Sequence, residues 1–310
     1  MKFKKPKFWE YKKPNIFAYL LYPIAMLIDI LKKFRIKNRT KEFKIKTICI
    51  GNFYLGGTGK TSLAIEINKI LQSKNIRSCF IKKYYEDQKD EQKLLNMSGK
   101  LFLSSERAEA LKKAEDENYE VAILDDGLQD KSIVSDISFV CFNNLNWIGN
   151  GFTIPAGPLR EEFKNIKKYN HIFINGNLEN LDIIKKDIEK INSEIKIHIG
   201  EYQPLNLVEF DLKNKFIVFS GIGNHKTFIS ILNKYKFDIK KNIEFPDHYQ
   251  YSDEDINKII LEAKNLECEI ITTEKDYLRL NNLKLNNIKY IKTKLKIHDE
   301  EKLINSLFKI

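Results

Sequence analysis

The sequence is poor in the residues that build disulfide frameworks and metal sites. Its 310 residues include four cysteines, which lie far apart and form no C-x-x-C pair, and five histidines without metal-ligand spacing. Two of the cysteines lie in or beside strand-like apolar runs, so we interpret the cysteines as core residues in a reducing compartment. This composition excludes a disulfide-stapled fold and a zinc framework.

The sequence also lacks the signatures of nucleic-acid-binding modules. We find no helix-turn-helix, zinc-finger or aromatic RNA-binding pattern, no internal repeat and no low-complexity linker. The net charge is nonetheless +11, from 53 basic and 42 acidic residues, which suits an acidic partner such as a nucleotide or an anionic membrane. Because positive charge without a binding motif is weak support for nucleic-acid binding, we expect no nucleic acid as a partner.

What the chain does have is a phosphate-binding loop. Residues 51–61 follow the apolar run 45–50 and precede the helical pattern 62–71. Glycines let backbone N–H groups face phosphate oxygens, and the helix N-terminus adds the positive end of its dipole. Lys60 is then placed to reach the β- and γ-phosphates of ATP, and the Thr61 hydroxyl to bind Mg²⁺. The residues that we predict to bind the nucleotide are Gly56, Gly57, Thr58, Gly59, Lys60 and Thr61.

Carboxylates follow a second apolar run. Asp125 and Asp126 directly follow the apolar run 121–124. In this arrangement an Asp holds Mg²⁺ directly or through water. We therefore predict a metal site of Thr61, Asp125 and Asp126. Two further turns present charged side chains: Arg160 follows a Pro/Gly-rich turn that suits bidentate phosphate contact, and residues 272–276 follow a strand. A plain turn remains an open alternative for the segment before Arg160.

The alternation of short apolar runs with helical patterns predicts an α/β fold. A P-loop NTPase-like parallel sheet with helices on both faces is expected, followed by a second, smaller α/β lobe that starts near residue 205. The expected strands in the first lobe are 47–50, 78–81, 121–124, 137–142 and 171–174. The connection between the lobes is placed at 197–207. The expected domains are 1–36, 37–203 and 204–310.

The N-terminus predicts a helix at a membrane surface. Residues 16–31 are almost wholly apolar, interrupted by Pro23 and Asp29, and lysines flank them on both sides. The run is short for a span and no A-x-A-like cleavage site follows it, whereas an amphipathic helix in the interface would place aromatics at headgroup depth and lysines against anionic lipid. A soluble packed helix and a true span remain alternatives.

Taken in chain order, the motifs resemble those of the tetraacyldisaccharide 4'-kinase family over residues 8–280. The shared motifs are residues 8–9 (FW), 56–61 (GGTGKT), 89–91 (KDE), 125–129 (DDGLQ), 155–161 (PAGPLRE), 220–223 (SGIG), 245–248 (FPDH) and 272–276 (TTEKD). The family also lacks the first glycine of the usual phosphate loop, where this chain has Tyr54.

The resemblance implies an activity and a set of residues. The γ-phosphate of ATP would pass to the 4'-hydroxyl of tetraacyldisaccharide 1-phosphate, giving lipid IVA in lipid A biosynthesis. The enzyme would be a monomer on the cytoplasmic face of the bacterial inner membrane, peripheral or monotopic. Asp90 would be the catalytic base, His248 its partner and Lys60 the phosphate-binding cation. The implied substrate-binding residues are Asn52, Gln129, Arg160, Glu274, Lys275 and Asp276.

The chain departs from the family pattern in three places. Residues 89–92 read Lys-Asp-Glu-Gln where the family has Gly-Asp-Glu-Pro, and residues 81–84 read Ile-Lys-Lys-Tyr where it has Ser-Arg-Gly-Tyr. Asp130 stands where the family has a His. The third departure leaves no residue at 130 for the family's His role.

A different class of protein shares the phosphate loop: an NTPase that switches a partner or delivers a metal. A guanine-specific switch would show Asn/Thr-Lys-x-Asp, and residues 274–276 lack the intervening residue. A metal carrier would show His or Cys clusters, which the sequence lacks. The apolar, lysine-flanked N-terminus favours a membrane substrate and therefore the kinase.

Overall fold

Our computed structural model of the protein describes residues 5–34, 43–130, 132–280 and 287–308. The predicted boundary between residues 36 and 37 lies outside these residues. The strands are β1 (Lys46–Asn52), β2 (Ser78–Lys83), β3 (Leu101–Ser104), β4 (Val121–Asp125), β5 (Ile137–Asn143), β6 (His171–Asn175), β7 (Lys196–Pro204), β8 (Lys215–Ser220), β9 (Asp238–Glu244), β10 (Cys268–Thr273), β11 (Ile288–Ile291) and β12 (Thr293–Ile297).

Helices connect most of these strands. They are α1 (Ile16–Phe34), α2 (Lys60–Ser73), α3 (Lys89–Ser98), α4 (Arg107–Asp116), α5 (Leu181–Glu189), α6 (His225–Lys234), α7 (Asp253–Asn265), α8 (Glu274–Tyr277) and α9 (Glu300–Leu307). Shorter 3₁₀ helices cover Lys7–Glu10, Glu86–Gln88, Phe163–Lys168 and Leu207–Glu209.

The larger lobe is built on a sheet of order β12-β7-β6-β5-β1-β4-β2-β3. Its strand pairs are parallel, except that β12 runs antiparallel to β7. Strand β1 lies between β4 and β5, so the loop that follows β1 emerges beside the end of β4. Each of the five strands predicted for this lobe lies within an observed strand, and the predicted sheet is confirmed.

Helices cover both faces of this sheet because its buried strands are apolar on both sides. In β1, Ile48 belongs to a core formed with α2 and α9, whereas the adjacent Cys49 belongs to a core formed with α4. Successive side chains of a strand point to opposite faces. A third core packs β5 and β6 against α5 through Ile184 and Ile188.

The end of the chain returns to the larger lobe. Strand β12 pairs with β7 from Thr293↔Pro204 to Ile297↔Gly200, and Leu303 and Leu307 of α9 enter the core beneath α2. Most of the segment 197–207, predicted as a connection, is therefore strand β7. The domain limits 37–203 and 204–310 stay a prediction, although the last strand and helix pack with the first sheet.

The smaller lobe has a parallel sheet of order β11-β10-β8-β9. Helix α7 begins at a capping box, in which Ser252 accepts a hydrogen bond from the backbone N–H of Asp255 while the Asp255 carboxylate accepts one from the Ser252 backbone N–H. The predicted second α/β lobe is confirmed.

Helix α1 lies against the larger lobe through one narrow face. Ala18 and Ala25 are buried, Tyr22 packs on Phe152 with ring centroids 4.7 Å apart, and Asp29 accepts a hydrogen bond from the Thr153 hydroxyl at 2.7 Å. The side chains that remain exposed form a broad apolar surface of Ile16, Phe17, Tyr19, Leu20, Ile24, Met26, Leu27, Ile30 and Leu31. Within the described residues, no helix has the combined length and hydropathy needed to cross a membrane. The helix itself is confirmed, and its place at a membrane surface stays a prediction.

Candidate active site

A cleft of about 510 Å³ lies between the two lobes. It is located beyond the carboxyl ends of β1 and β4, where ligands bind in parallel α/β sheets, and the loops after β8 and β10 close it from the other side. The predicted residues that line it are Gly56, Gly57, Thr58, Gly59, Lys60, Thr61, Asp126, Arg160, His248, Glu274 and Lys275. The remaining predicted residues are not part of this lining: Asn52, Asp90, Asp125 and Asp276 are buried, and Gln129 is exposed.

Buried amides shape the phosphate loop. The Asn52 side chain donates to the carbonyls of Tyr54 (2.7 Å) and Gly56 (3.1 Å). From β6, Asn175 donates to the carbonyl of Thr58 at 2.7 Å. Gly59 has a positive φ of 78°, and a Cβ there would lie 2.5 Å from the Asn175 amide nitrogen, so this position requires glycine. Because these side-chain amides bind carbonyls of the loop, its backbone N–H groups stay available to bind an anion.

The two carboxylates at the end of β4 have different environments. Asp125 is fully buried; its Oδ2 accepts from the Lys82 ammonium at 2.6 Å and from the Thr61 hydroxyl at 3.4 Å, while its Oδ1 has no hydrogen-bond partner. Asp126 has a left-handed backbone, with φ +59°, and pairs with Arg160 at 2.8 Å and Lys60 at 3.5 Å. Burial alone would raise the pKa of Asp126, but these two cations hold it below its ordinary value.

Two residues of this network were missed from the sequence. Lys82 is almost fully buried and bridges Asp125 to Glu91 (2.9 Å), and Glu91 reaches Lys275 of the other lobe at 2.8 Å. Burial opposes the charge of Glu91, but Lys275 and Lys82 keep its pKa well below the ordinary value. A signal existed for Lys82, since it stands where the family motif has an Arg, and a basic residue at that strand end suits the adjacent Asp125.

Asp90 and His248 meet across the lobes, as the family resemblance implies. The Asp90 Oδ1 lies 3.2 Å from the His248 Nδ1, and His248 lines the cleft whereas the buried Asp90 is not part of its lining. Burial would raise the pKa of Asp90, but the hydrogen bond from His248 and the charges of Lys275 and Arg279 hold it well below the usual range. Burial would lower the pKa of His248, but its contact with Asp90 raises it. His248 also has a left-handed backbone, at φ +55°, and such strain clusters at functional sites.

Arg279 is the other partner of Asp90, and it lies outside the motifs shared with the family. Its guanidinium donates to Asp90 Oδ2 at 2.6 Å, to Asp276 at 2.9 Å and to the carbonyl of Gly221 at 2.6 Å. Asp276 is fully buried, and it also accepts from the Gly221 N–H and the hydroxyls of Tyr251 and Thr273. The predicted contact of Asp276 with substrate stays a prediction, since its carboxylate already has protein donors.

Gln129 and Asp130 position the neighbouring basic residues. Gln129 donates to the Asn52 carbonyl at 3.1 Å and accepts from the Arg160 guanidinium at 3.2 Å. Asp130, which replaces the family's His, pairs with Arg107 at 3.1 Å, and Arg107 in turn donates to the carbonyl of Asp126 at 2.7 Å. Position 130 therefore holds the turn that carries Asp126.

The residues predicted for Mg²⁺ fit such an ion chemically. The unpartnered Oδ1 of Asp125 and the long hydrogen bond from Thr61 leave oxygen ligands available beside the phosphate loop. Mg²⁺ typically takes one or two carboxylates and completes its shell with substrate phosphates and waters. No group of three or more His, Cys, Asp or Glu side chains suited to a metal occurs among the described residues, so a site made wholly of such side chains is absent there.

Comparisons with known proteins place the chain in a family. The family model of tetraacyldisaccharide-1-P 4'-kinase matches residues 17–310. A tetraacyldisaccharide 4'-kinase of Pelagibacter ubique is 55% identical over 310 residues, covering 100% of this chain and 99% of the relative. One of Rickettsia akari is 32% identical, covering 98% and 96%. The crystal structure of LpxK from Aquifex aeolicus in complex with ATP has the same fold, with a TM-score of 0.63, 23% identity and coverage of 94% and 96%. The chain belongs to the tetraacyldisaccharide-1-P 4'-kinase family.

Proposed function

We propose that the protein transfers the γ-phosphate of ATP to the 4'-hydroxyl of tetraacyldisaccharide 1-phosphate, giving lipid IVA in lipid A biosynthesis. The observation that carries the proposal is the cleft itself. In it the phosphate loop of one lobe faces an Asp–His pair formed by both lobes. The names of the relatives, tetraacyldisaccharide 4'-kinase, support the same substrate.

The phosphate loop side would bind the nucleotide. The N–H groups of the loop and the N-terminus of α2 suit the phosphates of ATP, and Lys60 and Arg160 can add positive charge at their outer end. Both cations now contact Asp126, so an incoming phosphate would compete with that carboxylate for them. Thr61, Asp125 and Asp126 would hold Mg²⁺, which when bound neutralises charge on the phosphates.

The Asp90–His248 pair would act on the acceptor. The hydroxyl oxygen forms a bond to the γ-phosphorus while the bond from that phosphorus to the β–γ bridging oxygen breaks, so ADP leaves and the hydroxyl proton passes to the pair. A carboxylate with a lowered pKa is a weak base, but in a loose transition state the hydroxyl oxygen has formed little bond to phosphorus. Orientation by the pair is therefore the larger part of its contribution.

The exposed face of α1 would hold the enzyme at an anionic membrane surface. It is a broad apolar surface on a helix with basic residues before it, as interfacial helices have. On the opposite side, Lys32 donates to the carbonyl of Arg160 at 3.1 Å. An anchored α1 would therefore place the rim of the cleft near the lipid headgroups. We propose the cytoplasmic face of the inner membrane as the location and a monomer as the working state.

The first prediction tests the activity itself. Purified protein with ATP, Mg²⁺ and detergent-dispersed tetraacyldisaccharide 1-phosphate should give a product with one added phosphate, detected by mass spectrometry. Omitting the disaccharide should leave ATP almost unconsumed. If the rate of ATP hydrolysis is the same with and without the lipid and no phosphorylated lipid forms, an NTPase that switches a partner would be favoured instead.

Lys60→Ala should lower kcat/KM by about 10²-fold or more, because the cation that follows the transferring phosphoryl group is lost. Lys69→Ala is the matched control: Lys69 lies on the same helix, is exposed and pairs only with Glu66 in the described structure. The control should stay near the wild-type rate. A Lys60→Ala enzyme with more than about a tenth of the wild-type rate would contradict the phosphate-loop assignment.

Asp90→Ala and His248→Ala should each lower kcat by roughly 10²–10⁴ and leave ATP affinity near wild type. The double variant should be little worse than either single one, because groups that act as a unit are not additive. Glu86→Ala, an exposed acidic residue just before α3, serves as the control. Losses that multiply in the double variant would mean that the two residues act independently.

Replacing Leu20, Leu27 and Leu31 together by Asn should weaken co-sedimentation with anionic vesicles and raise the KM for the lipid, while the KM for ATP is unchanged. These side chains are exposed and lie on one side of α1. The control replaces three exposed apolar residues elsewhere, Ile183, Val208 and Leu261, and should keep vesicle binding. Equal binding by both triple variants would refute the role of this face.

A further inference from the structure

Lys5, near the start of the described chain, places its ammonium in the cleft between the lobes. It lines the cleft together with Lys60, Arg160 and Lys275. The ammonium donates to the carbonyl of Gly223 at 3.3 Å and lies 5.6 Å from the ring centroid of Tyr54. It also occupies the space that a Cβ at Gly56 would need. A residue remote in sequence thus touches the phosphate loop directly.

The charge of Lys5 is poorly compensated. The other three cations of the cleft have carboxylate partners: Lys60 and Arg160 pair with Asp126, and Lys275 with Glu91. Within the described residues, no carboxylate lies at ion-pair distance from Lys5. Burial lowers its pKa, and the carboxylates that oppose this effect, Asp247 first, act only from a distance. An ammonium has three donors, and the Gly223 carbonyl takes one.

The position of this ammonium suits one particular anion. Gly56 belongs to the loop that would wrap the phosphates of ATP, ahead of Lys60, and Gly223 lies on the other lobe. Asp247, the carboxylate with the largest effect on Lys5, directly precedes His248. The ammonium therefore lies between the nucleotide side and the acceptor side of the cleft. A cation there would meet the phosphoryl group that moves between them, whose charge is spread over three oxygens.

We infer that Lys5 is a further catalytic residue, whose ammonium binds the γ-phosphate of ATP and stays on it during transfer, in the manner of an arginine finger supplied in cis. The inference rests on the proposed kinase activity and extends it to a residue outside the phosphate loop. It also gives the N-terminal segment a part in chemistry.

The segment is built to hold Lys5 in place. The Trp9 side chain is buried and its indole N–H donates to the carbonyl of Pro155 at 3.0 Å. The backbone of Asn150 donates to the Trp9 carbonyl at 3.0 Å, and the Asn150 side chain reaches the Phe8 carbonyl at 3.3 Å. These contacts fix the chain only a few residues after Lys5, and α1 follows them.

The test compares Lys5→Met, which keeps much of the side-chain volume but removes the charge, with Lys7→Met at an exposed position of the same segment. Lys5→Met should lower kcat/KM for lipid phosphorylation by about 10²-fold or more, as loss of a charge on the transferring group does. Lys7→Met should stay within about threefold of wild type, since surface changes cost little. Lys5→Arg, which keeps the charge, should recover part of the loss.

A second measurement needs no lipid. Calorimetric titration with ATP and with ADP, each with Mg²⁺, gives the preference for the γ-phosphate. This preference should fall by about tenfold in Lys5→Met, in line with a lost charge-assisted hydrogen bond, and stay unchanged in Lys7→Met. Thermal melting of each variant checks that it folds.

The outcomes separate the two proposals. If wild type phosphorylates no lipid but Lys5→Met loses the preference for ATP over ADP, the kinase proposal fails and γ-phosphate binding by Lys5 is supported. If wild type is active and Lys5→Met matches Lys7→Met in both measurements, the inference about Lys5 is overturned. It is also overturned if Lys5→Met loses activity with its ATP preference intact, because the ammonium would then serve only the Gly223 loop.

Discussion

The arrangement of the cleft depends on a row of alternating charges that joins the lobes, buried at Asp125 and Lys82 and half-buried at Glu91 and Lys275. Neighbouring members lie 2.6 to 2.9 Å apart, and each inner member has an opposite charge on both sides. Burying one such charge alone would cost several kcal/mol, and removal of one partner leaves its neighbour as an uncompensated charge. The row therefore contributes less to the net free energy of folding than to the geometry of the site. Its ion pairs form only when α3, β4 and the start of α8 hold their observed relative positions.

Helix α3 connects this row to the Asp90–His248 pair. Its first turn carries Asp90 and Glu91 next to each other, and these two carboxylates contact different groups of the smaller lobe. Glu91 binds Lys275, while Asp90 binds Arg279 and His248. Because consecutive helix residues point about 100° apart, one helix turn is held by both contacts. A movement of the smaller lobe would disturb the Asp90–His248 pair and the environment of Asp125 together, so lobe position and site assembly are coupled.

The sequence predicts the local features of this molecule well and the long-range ones poorly. Strand β1, the phosphate loop and the start of α7 follow from apolar runs, glycines and a capping pattern within a few residues. The closeness of Asp90 and His248 came only from the resemblance to a family, and the structure agrees with it at 3.2 Å. Arg279 and Lys5 gave no signal, because an isolated basic residue in a lysine-rich chain carries no information on what it pairs with. The pairing of β7 with β12 was missed for a related reason, because the two strands lie about 90 residues apart in the sequence.

The N-terminal helix has two faces of different character, and the inner one connects the helix to the cleft. The inner face contacts the segment from Phe152 to Arg160, and Arg160 in turn pairs with Asp126 beside Lys60. The outer face is apolar and exposed. Since α1 also follows directly on the segment that holds Lys5, both flanks of the phosphate loop are braced by one N-terminal unit. Detachment of this unit would remove the Lys32 hydrogen bond to the Arg160 carbonyl, while the Arg160 guanidinium would keep its contacts with Gln129 and Asp126.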